Sequence, residues 1–211
     1  MAYLDNKKVI FWDFDGVIMD SMPVRSIGFR EVLKNYPEEE INSLIAYHEL
    51  NGGLSRYVKF KYFFEVLRKE QITAEQLQDL VSEFKEIMLS KLHNKDLLIQ
   101  DSLQFIIDQQ KRFTMHIVSG SDGVELKQLC KLLQIDHFFK TINGSPTPKQ
   151  DLVKQLIEKF DLAQKDCVLI GDSINDRDAA MENHIDFIGY NNESFKDTGP
   201  YISSFSGHPS L

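Results

Sequence analysis

The sequence has few cysteines and no clustered basic residues, and both shortages exclude classes of function. Cys130 and Cys167 are the two cysteines among 211 residues, and they do not form the Cys-x-x-Cys pair of zinc and redox sites. The formal net charge is -8, and no basic cluster is present, which argues against a protein that binds nucleic acid. We therefore expect neither a zinc or redox dithiol site nor a nucleic-acid partner.

Long apolar stretches are missing as well. No segment approaches the ~20 consecutive apolar residues that a membrane-spanning helix needs. The opening residues, MAYLDNKK, lack the apolar stretch that follows the charges of a signal peptide. The unpaired cysteines favour a reducing compartment, so we expect a cytoplasmic protein without a membrane partner.

The sequence does contain short apolar runs separated by helical patterns. Hydrophobic residues make up 42% of the chain, which is enough for a substantial core. Alternating strands and helices predict an α/β fold with a parallel sheet and right-handed crossovers. The predicted strands are residues 8–12, 115–118, 140–143, 167–170 and 186–190.

A block of helices interrupts this alternation after the first strand. From about residue 22 to residue 95 one helical pattern follows another, with Leu77, Val81, Phe84 and Met88 on one face. The stretch Asn51-Gly52-Gly53 is a strong breaker between two of these helices. We therefore predict an all-helical insertion in the α/β domain.

Polar side chains follow the predicted strands at the edge where parallel sheets bind ligands. Clustered carboxylates without His or Cys suit a hard cation, and Mg²⁺ is the expected one. Asp172, and Asp176 with it, would hold this metal, which would also offset the repulsion between the two aspartates of FWDFDG. The candidates are Asp13 and Asp15 after the first strand, Ser119, Gly120 and Ser121 after the second, Lys149 after the third, and Asp172 and Asp176 after the fourth.

The same groups predict phosphoryl transfer. Asp13 would attack phosphorus and form an acyl phosphate, once Mg²⁺ and the ammonium of Lys149 neutralise the phosphoryl oxygens. Asp15 would protonate the leaving oxygen and then deprotonate the attacking water, with its pKa raised by neighbouring negative charge. Ser119 Oγ and nearby backbone N–H groups would hold the phosphoryl oxygens.

Three of these assignments have a structural alternative. Ser119 could instead cap the helix that follows it. Asp176 could be an acid in the first turn of a helix, where acids are favoured. Lys140 is the rival of Lys149 for the ammonium, although it lies further from Asp172 along the chain.

The segments DFDGV, VSGS and GDSIND, with Lys149 between the last two, resemble the motif set of the haloacid dehalogenase superfamily of phosphatases. The resemblance implies a Rossmann-like core, Mg²⁺ dependence and an aspartyl-phosphate intermediate. It also implies that Asp15 lends its backbone carbonyl to the metal. One departure concerns Lys149, which follows Pro148, whereas many relatives place the lysine before a proline.

The resemblance also gives the inserted helices a role. It implies a helical cap over residues 21–96 and a core over residues 1–20 and 97–211, as in phosphoglycolate phosphatases and β-phosphoglucomutases. The string Gly53-Leu54-Ser55-Arg56 resembles the specificity loop of β-phosphoglucomutases, in which the arginine meets the substrate's non-reacting phosphate. With Lys59 one turn further and Arg25 facing the same cleft, Arg56 would favour a substrate with a second anionic group. The substrate-binding candidates are Gly53, Ser55, Arg56, Lys59 and Gly120.

These residues predict a monomeric phosphatase that hydrolyses a small phosphorylated metabolite, either a sugar phosphate or a phosphorylated hydroxy acid. The alternative is a phosphosugar mutase similar to β-phosphoglucomutases. Arg25 argues against the mutase, because those mutases resemble one another in having a histidine at this position of the first cap helix. A catalytically idle scaffold is the other alternative, but Asp13, Asp15 and the metal aspartates are all present.

Overall fold

A six-stranded parallel sheet forms the centre of the computed structural model, which describes residues 2–206. The strand order is β3-β2-β1-β4-β5-β6, and every neighbouring pair is parallel. This arrangement confirms the predicted α/β, Rossmann-like fold. The strands are β1 (Val9–Trp12), β2 (Thr114–Asp122), β3 (Thr141–Ser145), β4 (Cys167–Gly171), β5 (Asp186–Tyr190) and β6 (Tyr201–Ile202).

Both faces of the sheet are covered, which explains why β1 is apolar throughout. Ile10 and Trp12 belong to the hydrophobic cluster on one face, whereas Val9 and Phe11 belong to the cluster on the other face. Alternate side chains of a strand point to opposite faces, so a strand covered on both sides reads as a continuous apolar run. Trp12, the single tryptophan, packs against Phe205 with ring centroids 5.6 Å apart.

Residues 2–206 contain eight α-helices. Four of them cover the faces of the sheet, and the other four form the insertion between β1 and β2. The covering helices are α5 (Gln100–Gln109), α6 (Gly123–Leu133), α7 (Lys149–Phe160) and α8 (Ile174–Glu182), and the inserted ones are α1 (Met22–Val32), α2 (Glu38–Leu50), α3 (Arg56–Lys61) and α4 (Ala74–Leu92). None of the described helices is both long and apolar enough to cross a membrane.

Two strands differ from the sequence prediction. β2 does not end at Val118 but continues to Asp122, with an irregular register against β3 between these two residues. Ser119, Gly120 and Ser121 therefore lie within the strand rather than beyond it. The short strand β6, which pairs with β5 at the sheet edge, was not predicted because it contains only two residues.

The inserted helices form their own aromatic core. Phe29, Phe60 and Phe84 meet with ring centroids 4.5 to 6.0 Å apart. A π-helical segment, Tyr62–Arg68, follows α3 directly, and its adjacent residues Phe63 and Phe64 are both buried. The wider π turn places Phe63 and Phe64, which are adjacent in sequence, both in the core of the insertion.

The two chain crossings between the insertion and the sheet domain lie side by side. The backbone N–H of Asp20 donates to the carbonyl of Leu97 at 2.8 Å, and that of Ile99 donates to Ile18 at 2.9 Å. The domain bounds at residues 20/21 and 96/97 stay a prediction, and the core segment 97–211 extends beyond the described residues.

Candidate active site

Three aspartates meet where β1 and β4 end. The backbone N–H of Asp13 donates to Ile170 at 3.0 Å, so the chain leaving β1 stays beside β4. Carboxylate oxygens of Asp13, Asp172 and Asp176 all lie within 4.8 Å of one another, and Asp13 and Asp176 are buried. The structure thus brings together the three acids that the sequence places at separate points of the chain.

Lys149 joins this cluster from the first turn of α7. Its Nζ lies 2.8 Å from Asp13 Oδ1 and also forms an ion pair with Asp176. Burial alone would lower the pKa of Lys149, but the two carboxylates raise it above its usual value. Lys140 is excluded as the rival, because it precedes β3 and is exposed at the opposite end of that strand.

The acids carry more negative charge than Lys149 offsets. Burial, together with Asp176, raises the pKa of Asp13 well above its ordinary value, although Lys149 acts in the other direction. Burial and Asp176 likewise raise the pKa of Asp172 to about 7. Clustered oxygen ligands with an unbalanced negative charge fit a hard divalent cation, so the site suits Mg²⁺.

Asp176 is a first-turn acid of α8 that also lies in the acidic cluster. Its Oδ2 accepts hydrogen bonds from the N–H of Ser173 at 3.0 Å and from Ser173 Oγ at 2.7 Å, which caps α8. Its Oδ1 binds Lys149. Asp176 therefore acts as a first-turn acid and as an anchor of the ammonium, and it still lies inside the acidic cluster.

Glycine is required where the turn after β1 passes Asp172. Gly16 has φ of +78°, a backbone conformation that side chains disfavour. A Cβ at this position would lie 2.0 Å from Asp172 Oδ2. The Asp-Gly pair of the first motif thus lets the turn approach the carboxylate of the fourth.

Asp15 lies apart from the acidic cluster. Its Oδ1 accepts hydrogen bonds from Arg25 Nε at 2.7 Å and from Ser21 Oγ, and its Oδ2 accepts one from Ser121 Oγ at 2.5 Å. Burial would raise the pKa of Asp15, but Arg25 and the two serines lower it to about 2. The expectation that neighbouring negative charge raises this pKa is therefore wrong, because a cation faces the carboxylate.

Ser119 and Gly120 lie at the end of β2, beside the cap. Ser119 is buried, and its Oγ accepts a hydrogen bond from the N–H of Ser121 at 3.1 Å. The cap of α6 is Asp122, not Ser119, so that alternative is wrong. A Cβ on Gly120 would lie 2.1 Å from the carbonyl oxygen of Gly53, which places cap backbone directly against the core.

The two charged cap residues predicted to bind substrate, Arg56 and Lys59, are buried and have protein partners. Arg56 Nη2 lies 2.5 Å from Glu125 Oε2, and its guanidinium covers the ring of Phe84 at 4.7 Å. Lys59 Nζ lies 2.8 Å from His48 Nδ1, and burial with neighbouring cations lowers the pKa of Lys59 to about 7.

The remaining cap candidates, Gly53 and Ser55, lie on the loop before α3. Ser55 caps this helix, because its Oγ accepts a hydrogen bond from the N–H of Val58 at 3.4 Å. A Cβ on Gly53 would lie 2.9 Å from Asn175 Cβ at the start of α8. The loop is thus packed between β2 and α8.

Three residues near the site were missed by the sequence reasoning: Ser21, His48 and Glu125. Glu125 had a detectable signal, since it shares one face of α6 with Leu129 and Leu133 at spacings of four residues. An acid on a core-facing stripe predicts a buried charge that needs a partner. Ser121 was among the candidates after the second predicted strand, but its hydrogen bond to Asp15 was not predicted.

Two cavities adjoin the site, and Leu54 and Gly120 line both. The smaller has a volume of about 20 Å³ and contains Asp15, Arg25 and Arg56 in its wall. The larger has a volume of about 470 Å³ and runs past Lys149 between the cap loop and the first turns of α7 and α8. Only the larger one has the size of a pocket for a small metabolite.

Comparison with protein families gives a match over most of the chain. The model described as "Haloacid dehalogenase-like hydrolase" matches residues 9–190. A phosphoglycolate phosphatase of Colwellia psychrerythraea is 22% identical over 192 residues, covering 88% of this chain and 85% of the relative. A phosphorylated carbohydrates phosphatase of Thermotoga maritima is 22% identical over 188 residues, covering 86% and 83%.

Solved structures share the fold, including the inserted helices. A β-phosphoglucomutase of Clostridium difficile superimposes with a TM-score of 0.75 at 17% identity, covering 94% of this chain and 92% of that one. CbbY of Rhodobacter sphaeroides, in a mutant complex with xylulose-(1,5)bisphosphate, gives a TM-score of 0.75 at 15% identity, with coverages of 95% and 96%. These similarities concern the fold alone.

Proposed function

This chain belongs to the haloacid dehalogenase-like hydrolase family, and from that premise we propose that it is a Mg²⁺-dependent phosphatase acting through an aspartyl-phosphate. The family and its phosphatase relatives make the chain a phosphoric monoester hydrolase. The observation that carries the finer proposal is the contact of Lys149 with Asp13 inside a cluster of three carboxylates.

In the proposed reaction, Asp13 is the nucleophile. Lys149 counteracts the rise in the pKa of Asp13 and adds positive charge for the phosphoryl oxygens. Ser119 Oγ and the backbone N–H groups at the end of β2 hold these oxygens in line with the attacking carboxylate. When bound, Mg²⁺ supplies the remaining positive charge. Asp13 and Asp172 would hold it, with Asp176 beside them and the backbone carbonyl of Asp15 as the fourth predicted ligand.

Asp15 is the proposed proton carrier, although its contacts keep it ionised. With a pKa of about 2, only about one carboxyl in 10⁵ is protonated at pH 7. This state suits the second half-reaction, in which Asp15 takes a proton from the attacking water. In the first half-reaction Asp15 donates a proton, so it must leave Arg25 and take up a proton from solvent when the substrate enters.

The proposed substrate is a small phosphorylated metabolite, either a sugar phosphate or a phosphorylated hydroxy acid. The name of the Colwellia relative supports a phosphorylated hydroxy acid, and the name of the Thermotoga relative supports a sugar phosphate. Hydrolysis is favoured over the mutase reaction, because Arg56 is paired with Glu125 rather than presented to a second phosphate. We also propose a cytoplasmic monomer without a nucleic-acid or membrane partner.

Phosphate release from a panel of sugar phosphates, phosphorylated hydroxy acids and an aryl phosphate tests this function, with Mg²⁺ and with a chelator. We expect Mg²⁺-dependent turnover that Asp13→Asn lowers at least 1,000-fold, roughly the loss seen when a catalytic nucleophile is removed. The control is Asp79→Asn, which changes an exposed acid on α4 and should retain full activity. Turnover that persists in Asp13→Asn would contradict the covalent mechanism.

A further inference from the structure

Glu125 is a buried acid on α6 that lies between two arginines of the cap. We propose that its carboxylate serves as an internal anion for Arg25 and Arg56 and thereby selects substrates whose leaving group is uncharged. This inference rests on the proposed phosphatase function and narrows its substrate class to phosphate esters of small, neutral, hydroxylated alcohols.

Arg56 forms a buried ion pair with Glu125. Glu125 Oε2 lies 2.5 Å from Arg56 Nη2, and Oε1 lies 3.7 Å from Arg25 Nη1. All three side chains are buried, with 1% of the Glu125 side chain exposed. Arg25 is further bound to Asp15 at 2.7 Å. Two arginines therefore face two carboxylates of the protein itself.

This balance of charge works against a second anion of the substrate. A carboxylate or phosphate entering beside Arg56 would meet Glu125 at close range in a region without bulk water. An unpaired charge in such a place is strongly unfavourable, and so is removal of one partner from an existing pair. Lys59 offers little compensation, because its ammonium is directed at His48 and at the carbonyl of Gly52.

The small volume of the cavity beside Arg25 and Arg56 also excludes a second anionic group of the substrate. The cavity beside Arg25 and Arg56 has a volume of about 20 Å³, which corresponds to roughly one water molecule. Among the described residues, Arg25 Nη2, Arg56 Nη1 and Glu125 Oε1 are buried and have no hydrogen-bond partner. A phosphate or carboxylate group does not fit into a cavity of this volume.

The leaving group has room on the other side of Gly120, in the cavity of about 470 Å³. Its charged wall residues are Lys149, which is bound to Asp13 and Asp176, and the acids Asp178 and Glu182. Hydroxyl and amide groups of Ser55, Thr147 and Asn175 lie in the wall beside apolar residues, and the described part of the lining contains no free cation. Such a lining suits hydroxyl groups and rejects carboxylates.

Matched substrate pairs test the inference, since they differ by one charge at similar size. The pairs are glycerol 3-phosphate with 3-phosphoglycerate, and 2-hydroxyethyl phosphate with 2-phosphoglycolate. For the unmodified protein we expect kcat/KM to be at least ten-fold higher for the neutral member of each pair. Glu125→Gln keeps the size of the side chain and removes its charge, so this ratio should fall at least ten-fold.

The control variant is Glu158→Gln, which changes an exposed glutamate on α7 and should leave the ratio unaltered. The inference is overturned if the unmodified protein prefers the charged members, a result that does not depend on whether Glu125→Gln folds. It is also overturned if folded Glu125→Gln retains the original ratio. Failure of the proposed function looks different: the unmodified protein would then release no phosphate from any of the four esters or from p-nitrophenyl phosphate.

Discussion

At the scale of single residues, the contact between Asp15 and Arg25 reverses the expected pKa shift of the proposed proton carrier. The sequence places Asp15 two residues after the nucleophile, which suggests repulsion and a raised pKa. In the structure the pKa of Asp15 is lowered instead, because Arg25, one turn into α1, lies against the carboxylate. The direction of a pKa shift depends on which side chains face each other, and linear spacing does not determine that.

Arg25→Gln should raise the pKa of Asp15 toward its ordinary value. Losing a cation at 2.7 Å removes the largest favourable contact of the ionised carboxylate, so the shift should be roughly 1–2 pH units. Because the folded-state pKa of Asp15 is depressed, its ionised form stabilises the protein above pH 4 and loses this effect as the pH falls through about 2. The variant should therefore be less stable than the unmodified protein above pH 4, and its stability should decrease less as the pH falls from 4 to 2.

Carboxyl NMR titration and acid unfolding of the two proteins measure this shift. Arg30→Gln is the matched control, because Arg30 lies on the same helix with a partly exposed side chain and pairs with Glu38. An unchanged Asp15 titration in Arg25→Gln would show that the two serine hydroxyls alone hold the pKa down.

At the scale of elements, the contact between the cap loop and β2 defines the site. The sequence predicted both partners, since Gly52-Gly53 is a helix breaker and Gly120 follows an apolar strand. It did not predict that they touch, because the register irregularity of β2 and the course of the loop are tertiary features. The π-helical segment was unpredictable for the same reason, whereas the long cap helices and four internal strands follow directly from periodicity.

Gly120→Ala should impair catalysis more than folding. The new Cβ would lie 2.1 Å from the carbonyl oxygen of Gly53, so the loop must move away from the core. We expect kcat/KM to fall about 10–100-fold, since a shift of the loop by about 1 Å disturbs the alignment of the reacting groups. Steady-state kinetics and the melting temperature measure the two effects.

Gly199→Ala provides the comparison, because a Cβ at Gly199 meets no atom within 4 Å. This variant should match the unmodified protein in both measurements. Full activity of Gly120→Ala would mean that the close approach of loop and strand is not needed for turnover.

At the scale of the whole molecule, the buried acids make stability depend on pH and on metal. The pKa of Asp172 is about 7 in the folded protein and 3.8 ordinarily. Between these values the folded state binds more protons than the unfolded state. Stability without metal is therefore greatest below about pH 4 for this group and decreases as the pH rises toward 7.

Mg²⁺ should restore the stability that deprotonation removes, because it binds the ionised acids of the folded protein only. At a free concentration of about 100 times Kd, linkage predicts about 2.7 kcal/mol of added stability. Urea unfolding at pH 5 and pH 8, with chelator or with Mg²⁺, measures both effects.

Asp172→Asn removes one of the acids and should weaken both the pH dependence and the Mg²⁺ response. Asp79→Asn should preserve them. An unfolding free energy that is insensitive to Mg²⁺ at pH 8 in the unmodified protein would argue against a metal held by these carboxylates.

The position of Trp12 gives the molecule an intrinsic optical probe. This single indole directly precedes Asp13, and it packs against Phe105 and Phe205 with ring centroids 6.0 and 5.6 Å apart. Phe205 is itself fixed by its backbone N–H, which donates to Asp101 on α5 at 2.8 Å. Tryptophan emission should therefore change when Asp13 gains a phosphoryl group, so stopped-flow fluorescence could time the covalent step without any added dye.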